Sequence, residues 1–441
     1  MDYIPNTDAE LDSMVRDIGV SSFDELIASV PASLRVPRLN LPSPVSEPEL
    51  QRQLSAMARR NASLDQVLNF IGAGAYEHFI PSAIDHLVMR GEFYTAYTPY
   101  QAEASQGTLQ AIYEYQSMIC RLTAMDISNA SLYDGASALA EAALLCLAQN
   151  PRRKTLLLSG GVHPEFVDVV RTYTQGLPVN LVQLALADGA TRLDDLEAHL
   201  NPDVAGVLFQ SPNFVGCIED MAEASRLAHG AGALFVACVN PISLGILAPP
   251  GEYGADIACG EGQPLGIPVA YGGPWLGFFA TTRKIVHKIC GRLVGKTCDL
   301  DGQDGFVLTL QAREQHIRRE KATSNICTNQ SLMALRACVF LGLMGKQGMQ
   351  ELAELNLIRA HEAAEAIAKV PGYRLRFEQP FFNEFVVACP LPAAEVCRRL
   401  EAKGVFAGLA LGGNDLLVCV TETKSRSDIE RFCAALREAA K

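Results

Sequence analysis

Between about residue 130 and residue 285, short apolar runs alternate with stretches whose apolar residues recur three and four apart. The runs Thr155–Ser159, Val179–Leu184, Ala205–Gln210, Leu234–Val239, Asp256–Cys259 and Gly277–Thr281 have strand length and strand character. Pro164–Gln175, Leu193–Leu200 and Ile218–His229 have the spacing of amphipathic helices. Strands separated by helices of that length need crossover connections. The pattern therefore predicts an α/β fold with a mainly parallel sheet covered on both faces. Ligands in such sheets bind at the carboxyl ends of the strands.

The pattern differs on either side. Residues 1–70 predict an N-terminal helical arm. In it Ser22 and Glu25 form a candidate capping box, RVPRLNLPSPVSEPEL (35–50) is a Pro-rich connector, and a helix spans 48–60. Residues 71–328 hold the large domain. Residues 329–441 predict a smaller α+β domain. It opens with a long helix over Ser331–Lys369 and continues with strand-like YRLRF, FFNEFVVACP and DLLVCVTET. Helices follow at Pro392–Lys403 and Asp428–Ala440, the last with Ser427 and Glu430 as a second capping box.

Composition narrows the class. The 441 residues are 49% hydrophobic and 20% charged, the balance of a well-buried globular protein, and the net charge of −12 argues against a nucleic-acid partner. No stretch is long and apolar enough to span a membrane, and the acidic start has no apolar core, so a cytoplasmic protein is expected. Thirteen cysteines without a Cys-x-x-Cys pair, several inside apolar runs (Cys146, Cys238, Cys338), predict buried reduced thiols and no metal site.

SLYDGASALAEAALLCLA places Gly135, Ala136 and Ser137 at the mouth of an Ala/Leu-rich helix, where unpaired N–H groups could cradle a phosphate or simply be capped. Standing before the first large-domain strand, this helix entry resembles the phosphate helix of pyridoxal-phosphate enzymes of the aspartate-aminotransferase type. By the same resemblance, VHPE presents His163 to stack on a pyridine ring and QSPNFVGCIED presents Asn213 to its hydroxyl side. For His163 a satisfied loop histidine is the competing reading. Two departures follow. LFVACVNP offers Ala237 and Cys238 where the fold keeps an Asp for the ring nitrogen. Gln263 and Pro264 stand where it keeps the Schiff-base lysine, and no lysine occurs between Lys154 and Lys284.

Long segments resemble the P-protein family of the glycine cleavage system: FIGAGAYEHFIP (70–81), RGEFYTAYTPYQAEASQGTLQAIYEYQ (90–116), GADIACGEGQPLGIPVAYGGPWLG (254–277), GRLVGKT and REQHIRREKATSNICT (313–328). Some P-proteins are split into two homologous chains, and this sequence resembles the first, lysine-free one. The resemblance implies glycine decarboxylation, with pyridoxal phosphate held by a lysine-bearing second subunit in a heteromer, a heterotetramer. The aminomethyl group then passes to lipoylated H-protein. It also implies that this chain lines the partner's site, with Tyr94, Tyr97, Tyr100, Gln101, Glu103 and Gln106 as candidates from one loop. Arg318, Lys321, Thr323, Ser324 and Asn325 are candidates from the basic run, where Arg313, His316 and Arg319 also lie; arginine suits both carboxylate and phosphate. Bland readings stay open: tyrosines packed with half-wet hydroxyls, and a basic run neutralised by Glu314 and Glu320 on an exposed helix. Two other functions also stay open, a self-sufficient enzyme using Lys321 and a purely structural scaffold. Lys284, Lys288 and Arg292, spaced i, i+4, i+8, read as a solvated helical stripe or a surface steering an acidic carrier.

Overall fold

The computed structural model describes residues 6–36, 40–270 and 272–441; the start of the chain, residues 37–39 of the predicted connector and position 271 lie outside the described residues. Contacts divide the chain into two units, residues 1–62 and 63–441. In the first unit Thr7 caps the helix Asp8–Ile18, and the Glu10 carboxylate accepts in return from the Thr7 N–H (2.7 Å). Ser22 accepts from the Glu25 N–H, but the Glu25 carboxylate turns to Ser21, so the expected box is only half formed. The third helix, Glu47–Ala58, starts at Ser46, which donates to the Glu49 carboxylate.

In the second unit a seven-stranded sheet runs Ile127–Ser128, Gly277–Thr281, Ile257–Glu261, Leu234–Val239, Val204–Ser211, Thr155–Leu158, Asn180–Gln183. The five strands from Ile257–Glu261 outward are parallel; Gly277–Thr281 runs antiparallel to both neighbours. Alternation along the strands sorts the two faces. Leu157, Val207, Phe209, Phe235 and Phe278 join one core with the helix Gln106–Thr123 and the start of the long C-terminal helix. Leu156, Leu208, Val236, Cys238 and Phe279 join the other, under helices Gly135–Gln149 and Pro164–Thr174. The helix expected from Ile218 begins at Met221, because Asp220 caps it by accepting from the Glu223 N–H.

The long helix Ser331–Ala368 breaks at Gly345 (φ 60°, ψ −172°). Its residues from Ala334 to Ala353, on both sides of that break, pack in the large core, and Ala360, Ala363 and Ile367 in a separate C-terminal core. That core lies against a four-stranded antiparallel sheet, ordered Arg374–Leu375, Glu384–Ala388, Asp415–Cys419, Leu409–Gly412. Leu68–Asn69, read as part of the arm, pairs in parallel with Val405–Phe406 instead. The last helix is Arg426–Ala439, and its capping box is Ser425 with Asp428, not Ser427 with Glu430. Both pairs have the right spacing, but Ser425 is the residue with extended backbone (φ −76°, ψ 166°).

Nine of the thirteen cysteines are buried, Cys146, Cys238 and Cys338 among them. Among the described residues no helix is long and apolar enough to cross a membrane.

Candidate functional site

The carboxyl ends of the parallel strands bring His163, Gln210, Cys238, Asn240 and Glu261 around the place where this architecture binds ligands. That place is filled by the chain itself. The loop Phe70–Tyr76 enters it, and the Ala73 carbonyl meets His163 Nε2 at 3.0 Å. His163 Nδ1 accepts from the Glu165 N–H, so Nε2 carries the proton and donates to Ala73; burial lowers the imidazole pKa in keeping with a neutral ring. The ring stacks on Phe166 at 4.9 Å between centroids, with Phe214 edge-on at 4.6 Å. It is the satisfied loop histidine of the competing reading. Asn213 is equally spent: Nδ2 donates to the Gly189 carbonyl and to Glu219, and Oδ1 accepts from the N–H groups of Val215 and Cys217.

The lysine position has become part of the plug. Gln263 accepts from the Tyr76 N–H (2.8 Å) and donates to the carbonyls of Tyr76 and Ile267. The Tyr76 hydroxyl donates to Glu384 (2.7 Å), whose other oxygen accepts from the Ala73 N–H (2.6 Å). Gly72 has to be glycine here, since a Cβ would lie 2.4 Å from Glu384 Oε1 and 2.6 Å from Cys419 Cβ.

The predicted phosphate cradle holds carboxylates of its own. Gly135 N–H donates to Glu261 Oε2 (2.9 Å), Gln263 and Leu276 N–H groups donate to Glu261 Oε1, and Ser137 N–H donates to Asp134. A Cβ on Gly135 would sit 2.7 Å from the Glu261 N, so this glycine admits the chain's own strand end. Burial pushes the Glu261 carboxyl up to about 8 against the downward pull of its three N–H donors. About 30 Å³ of space remains, enough for a water and too little for a pyridine ring. The residues present therefore do not fit pyridoxal phosphate in this chain. Glu261, which does most to close the cradle, escaped the reading of the sequence; the available signal was an acidic residue ending an otherwise apolar strand.

The other candidates gather elsewhere. Tyr100 meets His316 edge-on at 5.8 Å, and its hydroxyl accepts from Arg292 (3.3 Å), so the tyrosine loop and the basic run converge. Between Glu314 and Cys327 opens a cavity of about 460 Å³, lined by Gln315, His316, Arg319, Asn325 and Ile326 among others. It shares no lining residue with the closed pocket. Tyr97 is 87% exposed, and Tyr94, Gln101, Glu103, Arg318, Lys321, Thr323 and Asn325 are exposed with it. Ser324 is half-buried, its hydroxyl accepting from the Ile326 N–H. Gln106 differs: its amide exchanges hydrogen bonds with the Phe306 backbone and belongs to the hairpin Leu293–Cys298/Asp304–Thr309.

The basic run is a four-residue helix, Gln315–Arg318, followed by a 3-10 turn in which Arg319 adopts φ 53° and ψ −127°. A non-glycine residue held there stores backbone strain, a feature that gathers at functional sites. The stripe Lys284, Lys288, Arg292 does not exist as a helical face. Residues Arg283–Lys288 form a 3-10 helix, Lys288 donates to the Ala148 carbonyl, and Arg292 is buried at the start of a strand.

Comparison with known proteins places this arrangement. The family model described as glycine cleavage system P-protein matches residues 1–436. The probable glycine dehydrogenase (decarboxylating) subunit 1 of Chlorobium luteolum is 53% identical over 445 residues, covering 100% of both chains. That of Moorella thermoacetica is 52% identical over 444 residues, covering 99% of each. A crystal structure of glycine decarboxylase (P-protein) of the glycine cleavage system, in inhibitor-bound form, superposes with a TM-score of 0.93 at 43% identity over 100% of both chains. A sphingosine-1-phosphate lyase from Burkholderia pseudomallei, 14% identical with a TM-score of 0.69 and covering 92% of this chain and 93% of its own, shares the fold alone. A whole-length family match, relatives above half identity and a near-superposable solved structure agree: the chain belongs to the glycine cleavage system P-protein family.

Proposed function

We propose that this chain is the lysine-free half of a two-chain glycine decarboxylase. With a homologous lysine-bearing subunit it decarboxylates glycine and passes the aminomethyl group to the lipoyl arm of H-protein. Pyridoxal phosphate is carried by that partner, where it supplies the electron sink for decarboxylation. One observation carries the reading: the pocket at the strand ends is closed by Ala73, Glu261 and Gln263, while Tyr100 and His316, from two of the segments that resemble the family, meet beside an open cavity. Exposed groups around a 460 Å³ cavity can serve a site completed by another chain.

On this reading the rim binds and orients. Arg318 and Arg319 offer guanidinium forks to a carboxylate or phosphate. Thr323, Ser324 and Asn325 offer short polar groups on a segment without helix or strand, and Tyr94, Tyr97 and Glu103 stand exposed on the segment that Tyr100 joins to His316. Lys321 is exposed and lines neither cavity, which disfavours a private aldehyde-binding lysine.

The test is to assemble the two chains with pyridoxal phosphate, reduce with borohydride and map the pyridoxyl group by mass. Label confined to the partner is expected; label on Lys321 with glycine-dependent activity of the single chain would replace this reading. Tyr97→Phe in an intact complex is expected to change glycine turnover or affinity. If Tyr97, Glu103 and Arg318 can all be substituted without either change, the chain is a scaffold.

A further inference from the structure

A guanidinium taken out of water without a carboxylate beside it is expensive, so its neighbours reveal what it is kept for. Arg292 is such a group, 4% exposed at the start of the strand Leu293–Cys298. All four of its hydrogen bonds end on neutral oxygens. Nη1 donates to Thr328 Oγ1 and Asn329 Oδ1 (3.1 Å each), and Nη2 to the Cys327 carbonyl (2.7 Å) and the Tyr100 hydroxyl (3.3 Å). Its Nε has no partner, and its cation lies 5.5 Å from the centre of the Tyr100 ring.

These acceptors belong to two segments far apart in the chain, residues 95–101 and 322–330, neither of which contains helix or strand. Backbone without a ladder has to be fixed by something else. Tyr100 in turn packs against His316, and His316 and Cys327 both line the open cavity. One planar fork therefore bonds a residue that lines the cavity, Cys327, and the tyrosine that packs on another, His316. Lysine could not do this, because an ammonium has three donors on a point and no fork.

We propose that Arg292 is the positioning residue of the rim: it sets the tyrosine loop and the segment 322–330 at a fixed separation and so presents Tyr97, Thr323 and Asn325 in register. This rests on the reading that the rim completes a partner's site, and the experiment separates the two.

Arg292→Lys and Tyr100→Phe are introduced into the two-chain complex. Two quantities are measured: kcat/KM for glycine, and amide hydrogen exchange of residues 95–101 and 322–330, with the helix Gly135–Gln149 as internal control. The expected result for Arg292→Lys is faster exchange in both segments, an unchanged control helix, and a fall in kcat/KM of about 100-fold, the scale of an ångström's misplacement. Tyr100→Phe, which deletes one bond, is expected to shift both readouts in the same direction by less; it carries the test alone if Arg292→Lys does not assemble. Unchanged exchange in either segment overturns the clasp, and if Glu103→Gln still lowers turnover the rim reading survives it. Faster exchange in both segments with intact kcat/KM overturns the positioning role and counts against the rim reading as well.

Discussion

The closed pocket and the open rim hold similar inventories, carboxylates, an imidazole, amides and N–H groups, and use them in opposite ways. In the pocket these groups are spent on the chain: His163 on Ala73, Gln263 on Tyr76, Gly135 on Glu261. At the rim Tyr97, Glu103, Arg318 and Thr323 face solvent. Loss of a covalent cofactor anchor would leave a polar hole in the middle of a sheet fold, and a buried polar group without a partner costs about 1–3 kcal/mol. Here the polar groups at that place find partners in the same chain, and the rim stays open.

This contrast can be broken most directly at the rim. Arg318→Met or Glu103→Gln in the assembled complex is expected to lower kcat/KM for glycine by about 10- to 100-fold, the scale of a lost hydrogen bond to a charged group. The melting temperature of the single chain should not move. A variant that unfolds the chain and spares turnover would reverse the assignment.

Gly72→Ala is the mirror experiment. Its methyl would press on Glu384 Oε1 and Cys419 Cβ, and overpacking of that kind costs about 1–3 kcal/mol. Denaturant titration should show that loss, while the folded fraction turns over normally in the complex.

A subtler effect comes from titration. Burial raises Glu384 and Glu141 from 4.5 to about 7. A carboxyl raised in the folded state stabilises it while protonated; the contribution is complete below pH 4.5 and is lost as pH rises through about 7. The melting temperature of the chain should decline across that window, and Glu384→Gln should flatten the decline. Superimposable profiles for the two proteins would show that the plug's carboxyl does not titrate there. The smallest expected effect is none: saturating pyridoxal phosphate should leave the melting temperature of the single chain unchanged. A ligand at 100 times its Kd would add about 2.7 kcal/mol, so an upward shift would mean that the pocket opens.

The strands and helices of the large domain were legible because Leu156/Leu157 and Val236/Ala237 alternate between two cores that both need apolar cover. The hairpin 293–309 was not, since from Lys296 onward its first strand is exposed and carries no alternation. Missing chemistry at the aldimine position was visible as Gln263 and Pro264, but the refilling was not. The Glu261–Gly135 and His163–Ala73 bonds join residues 126 and 90 positions apart, and only the folded chain brings them together. Arg292 was misread for a local reason. Its spacing from Lys288 implies one helix, and the chain turns from a 3-10 helix into a strand between them.

Glu261 at the mouth of the helix Gly135–Gln149 has a consequence for how the chain is supplied. Proteins that wait for a cofactor gain stability with the logarithm of its concentration and are depleted when it is scarce. A fold whose own Glu261 carboxyl accepts the Gly135 N–H at that helix end would have no such dependence. Under the proposed division of labour, the abundance of this chain would follow its own synthesis and assembly rather than the supply of pyridoxal phosphate.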